Sequence, residues 1–133
     1  MRLYVAAHFQ DMGDAENVAS LLESAGHTVV SDWHRKDENE SELSISDKIE
    51  IAIKDEAQVS ESEGLVLLET PHLVTGGKFV EAGICIGRGK PVFLLGKPEN
   101  VMMYHPNVIE CDSKKTMLYA IEDYINIVRE NNG

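Results

Sequence analysis

Short apolar runs, rich in β-branched residues, alternate along this chain with longer stretches in which apolar residues return every three or four positions. The short runs read as buried strands, because an unbroken apolar segment has both faces covered. Arg2-Leu3-Tyr4-Val5-Ala6-Ala7 is the first. His27-Thr28-Val29-Val30-Ser31, Gly64-Leu65-Val66-Leu67-Leu68-Glu69, Lys90-Pro91-Val92-Phe93-Leu94-Leu95-Gly96 and Val108-Ile109-Glu110-Cys111 follow. Between them lie helical stripes. Ala15, Val18, Ala19, Leu22 and Ala25 predict a helix over about 14–25, with Gly26 as its C′ residue. Ile45, Ile49, Ala52, Ile53 and Ala57 form the stripe of a second, over about 44–59. Val80, Ile84 and Cys85 share one face of a third, which Gly87 and Gly89 stop. Leu118, Ile121, Ile125 and Val128 make the buried stripe of a last helix, N-capped by Ser113, whose tail from Glu130 to Gly133 is expected to fray.

Strand, helix and strand in repeated succession are the parallel crossovers of an α/β sheet. The whole chain, residues 1–133, is therefore expected to be one domain, a doubly wound five-stranded parallel sheet of flavodoxin-like order. From Asp32 to Ser44 the chain is polar and reads as an irregular loop with Trp33 at its entrance, either a core anchor or an aromatic wall for a flat ligand. The stretch from Val101 to Pro106, with Met102, Met103, Tyr104 and His105, is an apolar patch suited to a pocket or a subunit contact.

Composition narrows the partners. A net charge of -11 disfavours nucleic-acid polymers, which need a basic footprint, but not a nucleoside or mononucleotide. No apolar run approaches the ~20 residues that span a bilayer, and the acidic stretch between Asp37 and Glu63 is a poor membrane surface. Cys85 and Cys111 suggest neither a disulfide framework nor zinc, and no histidine has metal-ligand spacing, so neither metal nor cofactor is expected and a cytoplasmic location is. The first loop lacks both glycine-rich phosphate signatures.

Candidate chemistry gathers in Val74-Thr75-Gly76-Gly77-Lys78-Phe79-Val80-Glu81-Ala82-Gly83, which leads from a strand into a helix at the sheet edge where open α/β folds bind ligands. Glu81 falls in the first or second helical turn, where the positive end of the helix favours an ionised carboxylate. It reads as a nucleophile facing the crevice, or as a residue that only complements the dipole. Lys78 is an anion ligand or a solvated first-turn residue. His8, at the end of the first strand, either contacts a base or phosphate or is a structural loop histidine.

Three segments resemble the nucleoside 2-deoxyribosyltransferase superfamily, which includes nucleotide N-glycoside hydrolases. Tyr4-Val5-Ala6-Ala7-His8-Phe9 is similar to its opening strand and ligand-side loop. Ala52-Ile53-Lys54-Asp55, with Glu63 at the next strand, resembles its Ala-x-x-Asp helix. Gly76-Gly77-Lys78-Phe79-Val80-Glu81-Ala82-Gly83 with Gly89-Lys90-Pro91-Val92 resembles Gly-x-x-x-Glu-x-Gly followed by Gly-Lys-Pro-Val. The resemblance implies cleavage or transfer at the N-glycosidic bond of a nucleoside or nucleoside monophosphate. It makes Glu81 the nucleophile at the anomeric carbon and Asp55 the group that positions or protonates the departing base. Tyr4, His8, Phe9, Trp33, Thr75, Gly76, Gly77 and Asn100 become candidate substrate contacts, Asn100 (like His105) across a homodimer interface. Thr75 stands where deoxyribosyltransferases often carry Asp, which leaves transfer against hydrolysis, and a 5′-phosphate on the substrate, open. A non-catalytic nucleotide-binding module of the same fold is the alternative.

Overall fold

The computed structural model describes residues 1–36, 43–70 and 76–132. Among them are five strands, β1 (Arg2–Ala6), β2 (Thr28–Val29), β3 (Gly64–Leu68), β4 (Val92–Leu95) and β5 (Val108–Cys111), and four helices, α1 (Met12–Ser24), α2 (Ile45–Glu61), α3 (Gly77–Gly87) and α4 (Lys114–Asn132), one after each strand except β4, which leads to β5 through a 3₁₀ turn over Val101–Tyr104. All pairings are parallel, in the order β2-β1-β3-β4-β5. The chain thus starts inside the sheet, steps out to β2, and returns across β1 to β3. This is the expected flavodoxin-like order, and its winding reverses between β1 and β3, where a crevice opens at the carboxyl ends of the strands. β2 pairs on one side only and is shorter than the run from His27 to Ser31 that predicts it.

Strand alternation divides the core in two. Leu3, Val5, Val66, Leu68 and Phe93 face α1 and α4, where they pack on Val18, Leu22, Met117 and Ile121. Tyr4, Ala6, Leu65, Leu67, Val92 and Leu94 face the other way, onto Val59 of α2 and Ala82 and Cys85 of α3. Gly26, at φ +94°, ends α1 as predicted. Gly96 has φ +133° and lies so close to Glu69 that a Cβ would sit 2.8 Å from its carbonyl oxygen, so only glycine fits this exit from β4. Lys90, in the Gly-Lys-Pro-Val stretch, donates to the carbonyls of Ser60 at 2.6 Å and Ser62 at 2.5 Å. It ties off the end of α2, which otherwise leaves those acceptors unsatisfied.

Three helical faces differ from expectation. On α3 the inner positions are Lys78, Ala82 and Cys85, while Val80 is exposed, because the ammonium of Lys78 finds a buried carboxylate partner under the helix. On α2 the isoleucine stripe points away from the sheet: Ile45, Ile49 and Ile53 are 79%, 55% and 64% exposed. The inward face carries Ile51, Asp55 and Val59 instead, with Lys48, itself exposed, on the same helical side. α4 is buried through Met117 and Ile121, in its first half. Val128 is exposed, and the helix stays regular to Asn132, where fraying is expected from Glu130. Ser113 does cap α4, its hydroxyl accepting from the Thr116 amide at 3.1 Å. None of the helices described is long and apolar enough to cross a membrane.

Candidate active site

At the carboxyl edge of β1, β2 and β3 lies a cavity of about 370 Å³. Ala7, His8 and Phe9 line it after β1, Asp32, Trp33 and Lys36 after β2, Lys48, Ile51, Ala52, Lys54 and Asp55 from α2, and Gly77, Lys78 and Glu81 from α3. The two carboxylates read from the sequence, on different helices, thus converge on one space. Glu81 accepts a hydrogen bond from the hydroxyl of Tyr4, which is itself fully buried on β1.

The electrostatics of Glu81 correct the expectation of a permanently ionised group. Burial pushes its carboxyl up to about 8, and the negative charge of Asp55 adds to this, whereas the Tyr4 hydrogen bond opposes it. Desolvation outweighs the helix end, whose field is worth only ~0.3–1 kcal/mol near a surface. Burial also raises Asp55, with Lys54 pulling it back down and Asp32 pushing it up. Tyr4 is held far above its ordinary value, first by burial and then by Glu81 and Asp55, so it remains a donor.

Trp33 is anchored in the core and also borders the cavity. Its ring packs against both halves of the core and lines the cavity, and its Nε1–H donates to the Val5 carbonyl at 2.7 Å. A buried relay that the sequence leaves unmarked braces the turn from Trp33 to Arg35. Burial works against the charge of Glu16, but hydrogen bonds from His34 and Arg35 hold it below the usual carboxylate range. Glu16 therefore accepts from Nδ1 of His34 at 2.7 Å. Burial lowers His34, which stays neutral. Its Nε2 then accepts from the Ser31 hydroxyl at 2.8 Å, and the Ser31 oxygen takes the Val5 amide at 3.0 Å. This Ser-His-Glu arrangement is no hydrolase triad, since Ser31 is 1% exposed and its oxygen is already engaged by the backbone.

Lys78 is not solvated: it is buried and lines the cavity. Its ammonium lies 3.2 Å from Glu69, with both side chains buried. Gly76 caps α3 and Gly77 lines the cavity. The Nδ1 of His8 accepts from the Gln10 amide at 3.1 Å, which caps a short 3₁₀ turn over Phe9–Asp11. Asn100 lies away from this chain's cavity, its side chain accepting from the Met102 amide at 3.0 Å. Thr75 is outside the described residues. Among the described residues no cluster of His, Cys, Asp and Glu is arranged to hold a metal ion.

No family model and no curated protein sequence matches the chain. Solved structures do. A 2-deoxyribosyltransferase from the psychrotolerant bacterium Bacillus psychrosaccharolyticus superposes with a TM-score of 0.70 at 20% identity, over 86% of this chain and 88% of that one. The Clostridium botulinum CMP N-glycosidase BcmB superposes with a TM-score of 0.58 at 18% identity, over 92% of this chain and 98% of that one. The chain accordingly has the fold that these two enzymes share.

Proposed function

We propose that this protein is an enzyme that cleaves or transfers at the N-glycosidic bond of a (deoxy)nucleoside or nucleoside monophosphate, with Glu81 as nucleophile and Asp55 as proton donor. The observation that supports it best is the pairing of two carboxyl groups on one cavity, one of them buried against a tyrosine hydroxyl. Their neighbourhood suits two different jobs. The Glu81 carboxylate attacks C1′, the bond from C1′ to the base nitrogen breaks, and its electron pair leaves with the base, which takes a proton from Asp55. Water, or the nitrogen of a second base, then attacks C1′, the ester bond from C1′ to Glu81 breaks with its electron pair returning to the carboxylate, and the incoming group gives its proton to Asp55. Two displacements return the starting configuration. Trp33 and Phe9 offer aromatic faces to a flat base. The names of the two structural neighbours, a deoxyribosyltransferase and a CMP N-glycosidase, support the same bond as the target.

The reading extends to a cytoplasmic homodimer acting on a small molecule. The exposed Ile45, Ile49 and Ile53 stripe supports pairing, since a monomer leaves this apolar surface in water. Asn100 contacts substrate only if it enters a neighbouring protomer's cavity.

The test is chromatography for free base after incubation with nucleosides and nucleoside monophosphates. The expected result is release that Glu81→Gln and Asp55→Asn each reduce at least a hundredfold, ~3 kcal/mol of transition-state stabilisation. Release at the wild-type rate in Glu81→Gln refutes the nucleophile. No release from any substrate by the wild type moves the protein to the class of non-catalytic nucleotide binders.

A further inference from the structure

Asp32 follows β2 and precedes the turn from Trp33 to Arg35, in the place of an N-cap, yet its side chain makes no capping bond. The turn is closed without it. The Asp32 carbonyl accepts from the Arg35 amide at 3.0 Å, and Glu16 holds His34 at 2.7 Å and Arg35 at 3.0 Å. The Asp32 side chain is engaged elsewhere. Asp32 lines the cavity, and the Lys54 ammonium lies 2.7 Å from its carboxylate. Burial works against the charge of Asp32, but hydrogen bonds, led by that from Lys54, hold it below the usual carboxylate range. Both side chains are partly exposed, and an ion pair of this kind adds little to stability.

The neighbour of Lys54 gives the pair a different use. Asp55 follows Lys54 on α2, and both line the cavity. A free ammonium beside Asp55 would draw off its proton, because a nearby opposite charge favours the ionised carboxyl. The proposed chemistry needs that proton. The charged and titratable groups that act on Asp55 or feel its charge are Lys54 on α2 itself, Asp32 and Lys36 after β2, Glu81 on α3 and Tyr4 on β1. Lys48, on the same side of α2, is exposed. Burial raises Asp55 most; Lys54 is the main group working against its proton, and Asp32 works for it. Asp32 thus acts twice, through its own charge and by occupying the ammonium. It also stands 3.7 Å from Lys36, so one carboxylate faces both cations.

We infer that Asp32 is a positioning residue for the proposed reaction: it holds the Lys54 ammonium away from Asp55, so that Asp55 keeps the proton it gives to the departing base. The inference rests on the reading of Asp55 as proton donor, and its first test needs no turnover. The Asp55 carboxyl carbon is followed by NMR across pH in protein carrying isotope-labelled aspartate, and its signal is assigned by its loss in Asp55→Asn. Glu81 is still protonated there, so Asp55 is read in the lower step of the pair. Asp32→Asn lowers the Asp55 midpoint by about one unit, roughly tenfold in its acid constant. Lys54→Met raises it, and the two substitutions together return it toward the wild type. Asp32→Glu preserves it, and Asp123→Asn, which removes the same charge from exposed α4, leaves it in place. A midpoint unmoved in Asp32→Asn, or moved equally by Asp123→Asn, overturns the inference. Where Asp32→Asn does not fold, an unmoved midpoint in Lys54→Met overturns it as well. Where base is released, Asp32→Asn lowers the plateau of kcat/KM about tenfold and moves its acid limb down, with the alkaline limb still at about 8. A rise in KM with both limbs in place makes Asp32 a direct substrate contact and overturns the inference. Midpoints that move as described, with no base released by the wild type, leave the hold of Asp32 on Lys54 intact and sink the enzyme reading alone.

Discussion

Replacing Tyr4 by Phe removes one hydroxyl, the donor to Glu81, from a fully buried position and leaves the rest of the ring in place. Its consequence can be worked through the proton shared by the two carboxyl groups. The proposed chemistry needs Glu81 ionised and Asp55 protonated. Glu81 holds its proton to about pH 8. Asp55 starts from a lower ordinary value, and Lys54 offsets part of its burial, so it is the stronger acid. The productive arrangement is then the minor one of the singly protonated pair, and kcat/KM has a plateau that ends where Glu81 titrates. A hydrogen bond to a charged group is worth ~1.5–3 kcal/mol, or roughly one to two pKa units. Without it Glu81 binds its proton more tightly. The plateau drops about ten- to a hundredfold, and the descending limb moves from about 8 upward by one to two units. Base release measured across pH 5 to 10, on a roughly unit grid, reads both quantities. A loss of rate with the limb still at about 8 refutes the argument and makes Tyr4 a substrate contact.

Stability tests the same group from another side. A carboxyl raised from 4.5 to about 8 on folding stabilises the native state below its unfolded value and loses that contribution as pH rises through 8. Glu81→Gln, which cannot ionise, therefore melts progressively higher than the wild type between pH 5 and 9, with an upper bound of ~5 kcal/mol. Identical melting curves at both pH values place Glu81 in water. For the dimer, light scattering gives twice the chain mass at high concentration, and Ile49→Lys shifts it toward the monomer. A monomer mass for the wild type refutes the pairing.

The order of the sheet was legible because each strand is an unbroken apolar run and each helix a periodic one, with Gly26 and Ser113 marking ends by local chemistry. Periodicity says that α2 has an apolar stripe, but not what covers it. Ile45, Ile49 and Ile53 read as core although they face outward. Glu81 and Asp55 came from local sequence, whereas the ionisation of Glu81 depends on Tyr4, 77 positions away, and on how much water the fold excludes. Lys78 read equally as an anion ligand or a solvated residue because its partner Glu69 closes the preceding strand, and only the folded chain buries the two together. The bond from Glu16 to His34 spans 18 positions with no local signal. A carboxylate that ends the β3 run, Glu69, was the one visible hint of a buried cation nearby.

α2 carries Asp55 and Lys48, yet it buries a single residue, Val59, near the end that Lys90 ties down. Mechanically it is a cantilever, clamped at its foot and loaded near its tip. Bending or fraying of its first turns breaks few apolar contacts, so its early amides exchange with deuterium through local opening, while those of β3 wait for global unfolding. A ligand that bridges α2 to Trp33 and Glu81 stiffens the beam, and part of the binding free energy goes into that ordering. Affinity then depends on stiffness as well as on contact. A glycine at Glu50, exposed and outside the cavity lining, loosens the helix by ~1 kcal/mol and weakens a ligand it never touches.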